Sequence, residues 1–349
     1  MPSTARPCRI LFRADARVEL GGGHIMRCLS LARALDQQGN TIAFASTPGS
    51  ADLVPALQRS GFPILTARTA AEFDLPGDWA AQADAIIIDL YSSTAADETQ
   101  MRSLAPVIAV IEDLPERAHD CDLLVDQGFD RTAQDYAARV PAGTTLLLGP
   151  DMAPLRPAFA AMRPASLKRR AGQPGLSRVL VSMGLTDVGG ISARLVALIR
   201  ASLPAVTIDV IVGPLATSLP VLRQLAKRDS ALNLLVDIDN MAERVMAADL
   251  AIGAGGGSAL ERCVLGIPSI VIVLADNQRP AAQAMAKAGA ALTIESPDAL
   301  ETSLPDLLCG VSAQSLASMS AKAAKLCDGL GAERIAVALM DRLRASGRQ

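Results

Sequence analysis

A run of three glycines, Gly21 to Gly23, stands directly before His24, one of only two histidines in the chain. Glycines let a ligand approach the backbone and leave amide N–H groups unobstructed at the start of a following helix. The positive end of a helix dipole disfavours an imidazolium, so His24 is expected to be neutral near pH 7, as a general base must be. A histidine that only caps the helix or orients a ligand fits the pattern equally well. The G-x-G-x-x-G dinucleotide motif is incomplete, because Met26 stands at its third glycine.

A second glycine cluster, Gly255 to Gly257 followed by Ser258, separates a predicted strand from a predicted helix. Such a turn at a helix N-terminus can cradle a pyrophosphate. Glu261, one turn into the helix, could accept hydrogen bonds from a ribose diol. The alternative is an ordinary strand–helix turn in which Glu261 is an acid favoured by the helix dipole. Three glycines followed by a serine favour the phosphate site.

A third strand-to-helix turn, residues 181–187, offers Thr186 or Asp187 as a helix N-cap, and capping alone would explain both. Two D-x-D triplets, 120–122 and 237–239, resemble a metal-binding pattern. Carboxylates at such turns are common caps, however, and neither triplet has a third oxygen ligand nearby in the sequence. We therefore expect no metal site and no cofactor.

The composition of the 349-residue chain disfavours several classes of protein. A net charge of −3 and 3% aromatic residues leave neither the basic surface nor the stacking platforms of a nucleic-acid binder. The cysteines are scattered without a C-x-x-C pair, which indicates a reducing compartment rather than disulfides or zinc. The longest apolar stretch falls far short of the ~18 residues of a membrane helix, and no signal-peptide core is present. We expect a soluble, cytoplasmic protein, with His119 in a polar surface loop.

Most of the chain alternates short β-branched runs with amphipathic segments, and these elements must position the motifs. Continuous apolar runs of this length predict parallel strands that are covered on both faces. The predicted strands are 8–12, 41–45, 85–89, 107–111, 178–183, 206–212, 232–236, 249–253 and 268–274. The predicted helices are 24–38, 188–201, 241–248, 259–265 and 278–288.

The alternation stops between about residues 150 and 175, where prolines and the basic run 168–170 interrupt it. We interpret 156–175 as a linker between an N-terminal domain, 1–155, and a C-terminal domain, 176–349. The last helix of the second domain could pack back on the first. The predicted fold is α/β, with two doubly wound Rossmann-like domains and a ligand in the cleft between them, beyond the carboxyl ends of the strands.

The segment FRAD…GGGH-x-MRCL-x-LA resembles the N-terminal signature of the UDP-sugar hydrolases of pseudaminic acid biosynthesis, whose substrate is UDP-2,4-diacetamido-2,4,6-trideoxy-β-L-altropyranose. The similarity continues in order through IIIDLYS, EDLPERAHDCDLLVDQ, VSMGLTD, AGGGSALERCVLGIPSIVIVLADNQ and DGLGAERI. A hydrolase of spore-coat polysaccharide synthesis is similar, and the second half also resembles the enzyme that adds GlcNAc to lipid I. The resemblance implies the glycosyltransferase-B fold and a UDP-sugar substrate.

Carried over by position, His24 would be the catalytic base. The residues implied near the sugar are Arg13, Asp15, Arg27 and Tyr91. Those implied at the diphosphate and ribose are Gly256, Gly257, Ser258 and Glu261, and those near the uridine are Ile238 and Gln278. The rest of the predicted binding set is Gly22, Gly23, Gly184, Thr186 and Asn277. The chain departs from the family pattern at Leu90, Ser92 and Leu185, where His, Gly and Gly are usual, and these departures bear on the sugar.

The implied reaction is hydrolysis at the anomeric C–O bond. A glycoside hydrolase needs two carboxylates because its leaving group must be protonated, whereas UDP is already anionic and one base acting on water suffices. Attack opposite UDP would invert the anomeric carbon. The expectation is a metal-independent hydrolase that supplies a diacetamido-trideoxyhexose for flagellin or surface glycans and works as a monomer or weak dimer. The alternatives are a UDP-sugar glycosyltransferase of the same fold, an NAD(P)-dependent oxidoreductase and a non-catalytic nucleotide-sugar binding protein.

Overall fold

The computed structural model describes residues 6–19, 21–79, 82–172 and 175–347. The chain divides into two units. Unit 1 comprises Met1–Leu155 and Leu330–Gln349, and unit 2 comprises Arg156–Gly329. Each unit is built on one parallel sheet, as the buried apolar runs predict.

Unit 1 contains a seven-stranded sheet whose described pairings are all parallel. Its strands are β1 (Arg9–Ala14), β2 (Thr41–Ser46), β3 (Ile64–Thr66), β4 (Ala85–Asp89), β5 (Val107–Ile111), β6 (Leu123–Asp126) and β7 (Thr145–Leu148). Their order in the sheet is β3-β2-β1-β4-β5-β6-β7. Its α-helices are α1 (Gly23–Gln37), α2 (Ser50–Leu53), α3 (Pro55–Gln58), α4 (Ala95–Met101), α5 (Ala133–Tyr136) and, from the end of the chain, α14 (Gly331–Ala345).

Unit 2 contains a six-stranded parallel sheet. Its strands are β8 (Arg178–Ser182), β9 (Thr207–Val212), β10 (Leu232–Val236), β11 (Leu250–Ala254), β12 (Ser269–Ile272) and β13 (Ala291–Ile294), in the order β10-β9-β8-β11-β12-β13. Its α-helices are α6 (Pro157–Ala171), α7 (Ile191–Ser202), α8 (Leu219–Arg228), α9 (Met241–Ala247), α10 (Gly257–Val264), α11 (Arg279–Lys287), α12 (Leu300–Cys309) and α13 (Ala313–Ala323).

Every predicted strand and helix is present within a few residues of its expected bounds, and the remaining strands are short. The sequence pattern does not predict β3, β6, β7 or β13. Three of these four strands lie at a sheet edge, where one neighbour and partial exposure remove the need for a long apolar run. Ile64 in β3, for example, is 40% exposed.

The predicted linker is wrong in its main part, because its residues form α6 and pack within unit 2. Ser166 is fully buried and its hydroxyl donates to the carbonyl of Leu265 at 2.7 Å. Arg169, from the basic run, pairs with Asp249 at 2.6 Å. Arg169 and Arg170 of the basic run therefore bind carboxyl and carbonyl groups of unit 2, whereas Lys168 is exposed. Pro164 is accommodated inside the helix, although prolines in the segment suggested irregular structure.

Helix α14 returns the chain to unit 1, where it packs against α1. Its Arg342 Nη2 donates to Asp122 Oδ1 at 2.9 Å. Its first residue, Gly331, packs against the backbone close to the point where the chain leaves unit 1. A Cβ at Gly331 would lie 2.2 Å from the Ala153 carbonyl oxygen. The outgoing and returning chains thus meet inside unit 1.

We expect Gly331→Ala to destabilise unit 1 by about 1–3 kcal/mol, the usual cost of forcing extra atoms into a packed site, because the clash is with backbone and no side chain can move away. Urea denaturation would measure the loss. Gly77→Ala is the matched control in the same unit, since its Cβ would have no neighbouring atom within 4 Å. Equal stability of the two variants would contradict this account.

Candidate active site

In each sheet, one pair of neighbouring strands is followed by connections that run in opposite directions, one towards each edge of the sheet. In unit 1 these strands are β1 and β4, and in unit 2 they are β8 and β11. Ligands of open parallel sheets bind at the carboxyl ends of such strand pairs. Ala14 pairs with Asp89 at the end of β1 and β4, and Ser182 pairs with Gly253 close to the end of β8 and β11. The predicted site residues cluster at these two points.

His24 and Asp89 form the centre of the cluster in unit 1. His24 Nδ1 lies 2.5 Å from Asp89 Oδ1, and both side chains are buried. A carboxylate that accepts from Nδ1 fixes the tautomer and leaves the lone pair on Nε2. Nε2 makes no hydrogen bond to the residues that the structure describes. The ring packs edge-on against Tyr91 with 4.6 Å between centroids. The arrangement is that of an oriented base.

Arg27, one helical turn after His24, holds two carboxylates at once. Its Nε and Nη2 donate to Asp89 at 2.6 Å each, and its Nη1 donates to both oxygens of Asp113 at 2.9 Å. Burial alone would raise the pKa of Asp89, but Arg27 and His24 outweigh it and hold this pKa well below its usual range. The same guanidinium lowers the pKa of Asp113 against the effect of burial. Both carboxylates are therefore charged, and Arg27 is committed to them.

Asp113 is fixed in turn by the residue before it. The Glu112 carboxylate accepts the backbone N–H groups of Asp113 and Leu114 at 2.8 Å each. Asp113 then accepts the Tyr91 hydroxyl at 3.0 Å. Tyr91 is thus oriented against His24 by a hydrogen bond on one side and a ring contact on the other.

His119 is not a surface residue, so that prediction is wrong. It is 4% exposed, with Nδ1 2.8 Å from Glu98 Oε1 and Nε2 2.9 Å from Glu112 Oε2. Burial alone would lower the pKa of His119, but the two glutamates outweigh it and raise this pKa to about 9. The imidazolium is therefore protonated at neutral pH and anchors Glu112. The polar local sequence concealed this because Glu98 lies on α4, distant in the chain.

Arg13 and Asp15, both predicted near the sugar, are used inside unit 1. Arg13 is 1% exposed, and its guanidinium pairs with Asp15 and donates to the carbonyls of Ala45, Thr69 and Ala70. All three of its nitrogens thus have protein partners. Burial alone would raise the pKa of Asp15, but Arg13 lowers it. This ion pair connects the loops that follow β1, β2 and β3. A few residues later in the sequence, Gly22 is the N-cap of α1 and the exposed Gly23 is its first residue.

The site in unit 2 is the turn from β11 into α10. Gly256 and Gly257 are exposed, and a Cβ on either would meet no atom within 4 Å, so their backbone is open to a ligand. Gln278 supports the turn from behind, because its Oε1 accepts from Gly255 N at 3.2 Å and from Leu274 N at 3.3 Å. Ser258 is half-buried on the first turn of α10.

The other predicted binding residues of unit 2 surround the same edge of the sheet. Gly184, exposed with φ of +97°, and the buried Thr186 follow β8, next to β11 in the sheet. Ile238 is half-buried after β10, and Asn277 is exposed after β12. The sheet thus brings these residues to its carboxyl edge.

Glu261 has a partner that the sequence analysis does not identify. Arg156 donates to both of its oxygens at 2.7 Å. Arg156 also stacks on Phe159, with its guanidinium carbon 5.0 Å from the ring centroid. A carboxylate paired with arginine retains lone pairs that can accept hydrogen bonds from two hydroxyl groups. The ion pair with Arg156 therefore restricts Glu261 but leaves it able to accept from a ribose diol. Both Arg156 and Phe159 come from the region interpreted as a linker.

The described residues contain neither a metal-binding cluster nor a membrane-spanning helix. No group of three or more His, Cys, Asp and Glu side chains among them is arranged to hold a metal ion. No helix in the described ranges is both long and apolar enough to cross a bilayer.

Comparison with known proteins places this geometry in context. Residues 207–335 match the glycosyltransferase family 28 C-terminal domain. The UDP-2,4-diacetamido-2,4,6-trideoxy-beta-L-altropyranose hydrolase of Campylobacter jejuni is 24% identical over 283 residues, which cover 80% of this chain and 97% of the relative. The crystal structure of Acinetobacter baumannii MurG superposes with a TM-score of 0.63 at 16% identity, covering 96% of this chain and all of that one. S. aureus MnaA, solved with UDP, gives 0.62 at 13% identity, covering 93% and 94%.

These similarities support the fold of two parallel-sheet α/β units and a second unit that resembles the glycosyltransferase family 28 C-terminal domain. The predicted fold of two doubly wound Rossmann-like domains is confirmed. Several residues of the two candidate clusters are not identified from the sequence. They are Asp89, Glu98, Glu112, Asp113 and Arg156. The signal for Asp89 is present, since an acid ends the buried run AIIID at a carboxyl edge.

His119 gives a prediction for stability against pH. A pKa raised on folding contributes stability that is complete below the unfolded value of about 6.5 and is lost as the pH rises through the folded value of about 9. The free energy of unfolding of the wild type should therefore fall between these limits. His119→Gln should cost roughly 3–5 kcal/mol at neutral pH, as removal of one partner of a buried ion pair does, and should flatten that fall. Urea denaturation from pH 6 to 10 would test this, and parallel curves for the two proteins would refute it.

Proposed function

We propose that this chain hydrolyses a UDP-linked diacetamido-trideoxyhexose at the anomeric C–O bond. The observation that carries the proposal is the buried Asp89–His24 pair, which orients one imidazole as a base at the switch point of the first sheet. The exposed glycine turn at the start of α10 supports it, since it offers amide donors to a diphosphate. The similarity to the Campylobacter jejuni hydrolase also supports it.

The proposed step needs one base. His24 Nε2 takes a proton from water while the water oxygen bonds to the anomeric carbon, and the bond from that carbon to the UDP oxygen breaks. The electron pair leaves with UDP, and the anomeric configuration inverts. The imidazolium that forms is stabilised by the charged Asp89, which is kept ionised by Arg27. The amides at the start of α10 would stabilise the charge on the departing diphosphate.

The proposal assigns different parts of the substrate to the two units. The anomeric carbon and the water belong to the His24 cluster, with Tyr91 beside the sugar, and the nucleotide belongs to unit 2. Leu90, where the resembled hydrolases usually have His, is 8% exposed and packs in the core of unit 1. The sugar is therefore proposed from the overall similarity and not from a contact of this residue. A role in pseudaminic acid biosynthesis, and hence in flagellin or surface glycan modification, follows from the same proposal.

A glycosyltransferase is the second candidate, favoured by the match of residues 207–335 to the glycosyltransferase family 28 C-terminal domain. In that case His24 would deprotonate an acceptor hydroxyl instead of water. Incubation of the purified protein with UDP-2-acetamido sugars in ¹⁸O-water separates the two. Hydrolysis by C–O cleavage places ¹⁸O in the free sugar, and NMR of the first product gives the anomer. Turnover only after addition of a lipid or sugar acceptor would favour the transferase.

His24→Asn and Asp89→Asn should each lower kcat by about 10²–10⁴-fold, the usual effect of losing a general base, because the first removes the base and the second its orienting charge. Affinity for UDP should change by no more than a few-fold, since the proposed UDP contacts lie on unit 2. Steady-state kinetics and UDP calorimetry measure the two effects.

Asp84→Asn is the matched control for these variants. Asp84 is another buried aspartate flanking β4, but it lies at the amino end of the strand and pairs with Arg6. Its replacement should cost stability and leave kcat within a few-fold of the wild type. Unchanged turnover in His24→Asn would remove this residue from the mechanism.

A further inference from the structure

Two arginines are buried at opposite ends of α10. Arg170 is 5% exposed and Arg262 is 2% exposed. Arginine is rarely buried without a partner that offsets its charge. The two side chains differ in what surrounds them, and the difference points to a ligand.

The guanidinium of Arg170 is fully used by the protein. Its Nε donates to the carbonyl of Leu265 at 2.9 Å, its Nη1 to that of Ala248 at 3.0 Å and its Nη2 to that of Val245 at 3.1 Å. These carbonyls lie at the ends of α9 and α10, where the helix dipole is negative. Burial and the neighbouring Arg169 lower the pKa of Arg170 to about 9. Arg170 is therefore a structural cap whose three nitrogens all have carbonyl partners.

The guanidinium of Arg262 is only partly used. Its Nη2 donates to the carbonyl of Ala254 at 2.8 Å and its Nη1 to Ser258 Oγ at 3.4 Å. Its Nε is buried without a hydrogen bond. No ion pair joins it to a carboxylate of the described residues. Burial lowers its pKa to about 10, so it remains charged at neutral pH. Its charge lies at the glycine turn, at the positive end of α10, where Glu261 acts on it electrostatically but no carboxylate of the described residues pairs with it.

The neighbouring strand β11 has a glycine where a side chain would collide with the Arg262 guanidinium. A Cβ at Gly253, close to the carboxyl end of the buried strand β11, would lie 2.7 Å from Arg262 Nη1 and 2.7 Å from the Ser182 carbonyl oxygen. Only glycine leaves room for the guanidinium at this strand position. A buried charge without a paired counter-ion is destabilising, because its desolvation is not offset. Such a cost is expected where the missing counter-charge arrives with an anionic ligand.

We propose that Arg262 is the buried counter-charge for the diphosphate of the nucleotide, held beneath the turn from Gly255 to Ser258. It acts on the ligand electrostatically and through Ser258. Because Ser258 Oγ accepts from Arg262, its own hydrogen is directed away and can be donated to a phosphate oxygen. Arg262 is thus a positioning residue, and the identity of the anion as a nucleoside diphosphate rests on the proposed function.

Arg262→Met should separate charge from structure. We expect affinity for UDP to fall by about 10–100-fold, as for loss of a charge-assisted contact, with affinity for uridine unchanged. We also expect the ligand-free melting temperature to stay the same or rise, because a buried charge without a paired counter-ion is removed, and the shift produced by UDP to shrink. Calorimetry with UDP and uridine, together with thermal melts, measures these quantities.

Arg170→Met is the matched control, since it removes a buried arginine of α6 whose side chain contacts the other end of α10. It should lower the ligand-free melting temperature and leave the ratio of UDP to uridine affinity unchanged. Arg262→Lys, which keeps the charge, should retain more UDP affinity than Arg262→Met. If Arg262→Met does not fold, the comparison between Arg262→Lys and Arg262→Gln decides in its place.

Three results would overturn the proposal. One is an equal loss of UDP and uridine affinity in Arg262→Met, which would indicate a purely structural role. Another is equal UDP affinity in the variants that keep and lose the charge. Titration with inorganic pyrophosphate distinguishes a failure of the counter-charge proposal from a failure of the proposed function. If the wild type binds pyrophosphate through Arg262 but does not bind UDP, the counter-charge stands and the nucleotide assignment fails. If it binds neither, the counter-charge proposal fails.

Discussion

The ion pairs of Arg27 with Asp89 and Asp113 are the interaction on which the first site depends. The buried Asp89 and the half-buried Asp113 repel each other, and the pKa of each would rise if no cation were shared between them. The single guanidinium keeps both ionised. Asp89 can then hold His24 in one tautomer, and Asp113 can hold Tyr91 against the imidazole ring. The orientation of the His24 imidazole is thus determined by a charge balance within unit 1.

The second site has the opposite charge balance. At the turn into α10, a helix N-terminus and a buried guanidinium place positive charge together, and the glycines keep the backbone open. Parallel sheets bring both arrangements to comparable places, at the carboxyl edge beside the strand pair where the connections diverge. One sheet therefore presents an oriented imidazole, and the other presents an open glycine turn beside a buried guanidinium. We propose that hydrolysis of a nucleotide sugar uses this division.

The sequence predicts the central strands and the glycine turns well, because both depend on local patterns. A buried β-branched run can form little other than a covered parallel strand, and glycine clusters at strand ends have a direct backbone reason. The ion pairs could not be predicted in the same way. Arg156 meets Glu261 across 105 positions of the chain, and Arg27 meets Asp113 across 86. His119 was misassigned for the same reason, since local polarity does not reveal a buried partner on another helix.

The return of α14 to unit 1 also fixes the order in which the chain can be completed. Gly331 meets Ala153 in unit 1, and all of unit 2 lies between them in the sequence, so unit 2 is an insertion whose two ends meet. A ribosome releases the whole of unit 2 before the helix that carries Ile335, Leu339 and Leu343 into the core of unit 1. During synthesis unit 2 can therefore fold completely before α14 is made. The seven-stranded sheet of unit 1 is covered by α14 only after the whole of unit 2 has been synthesised.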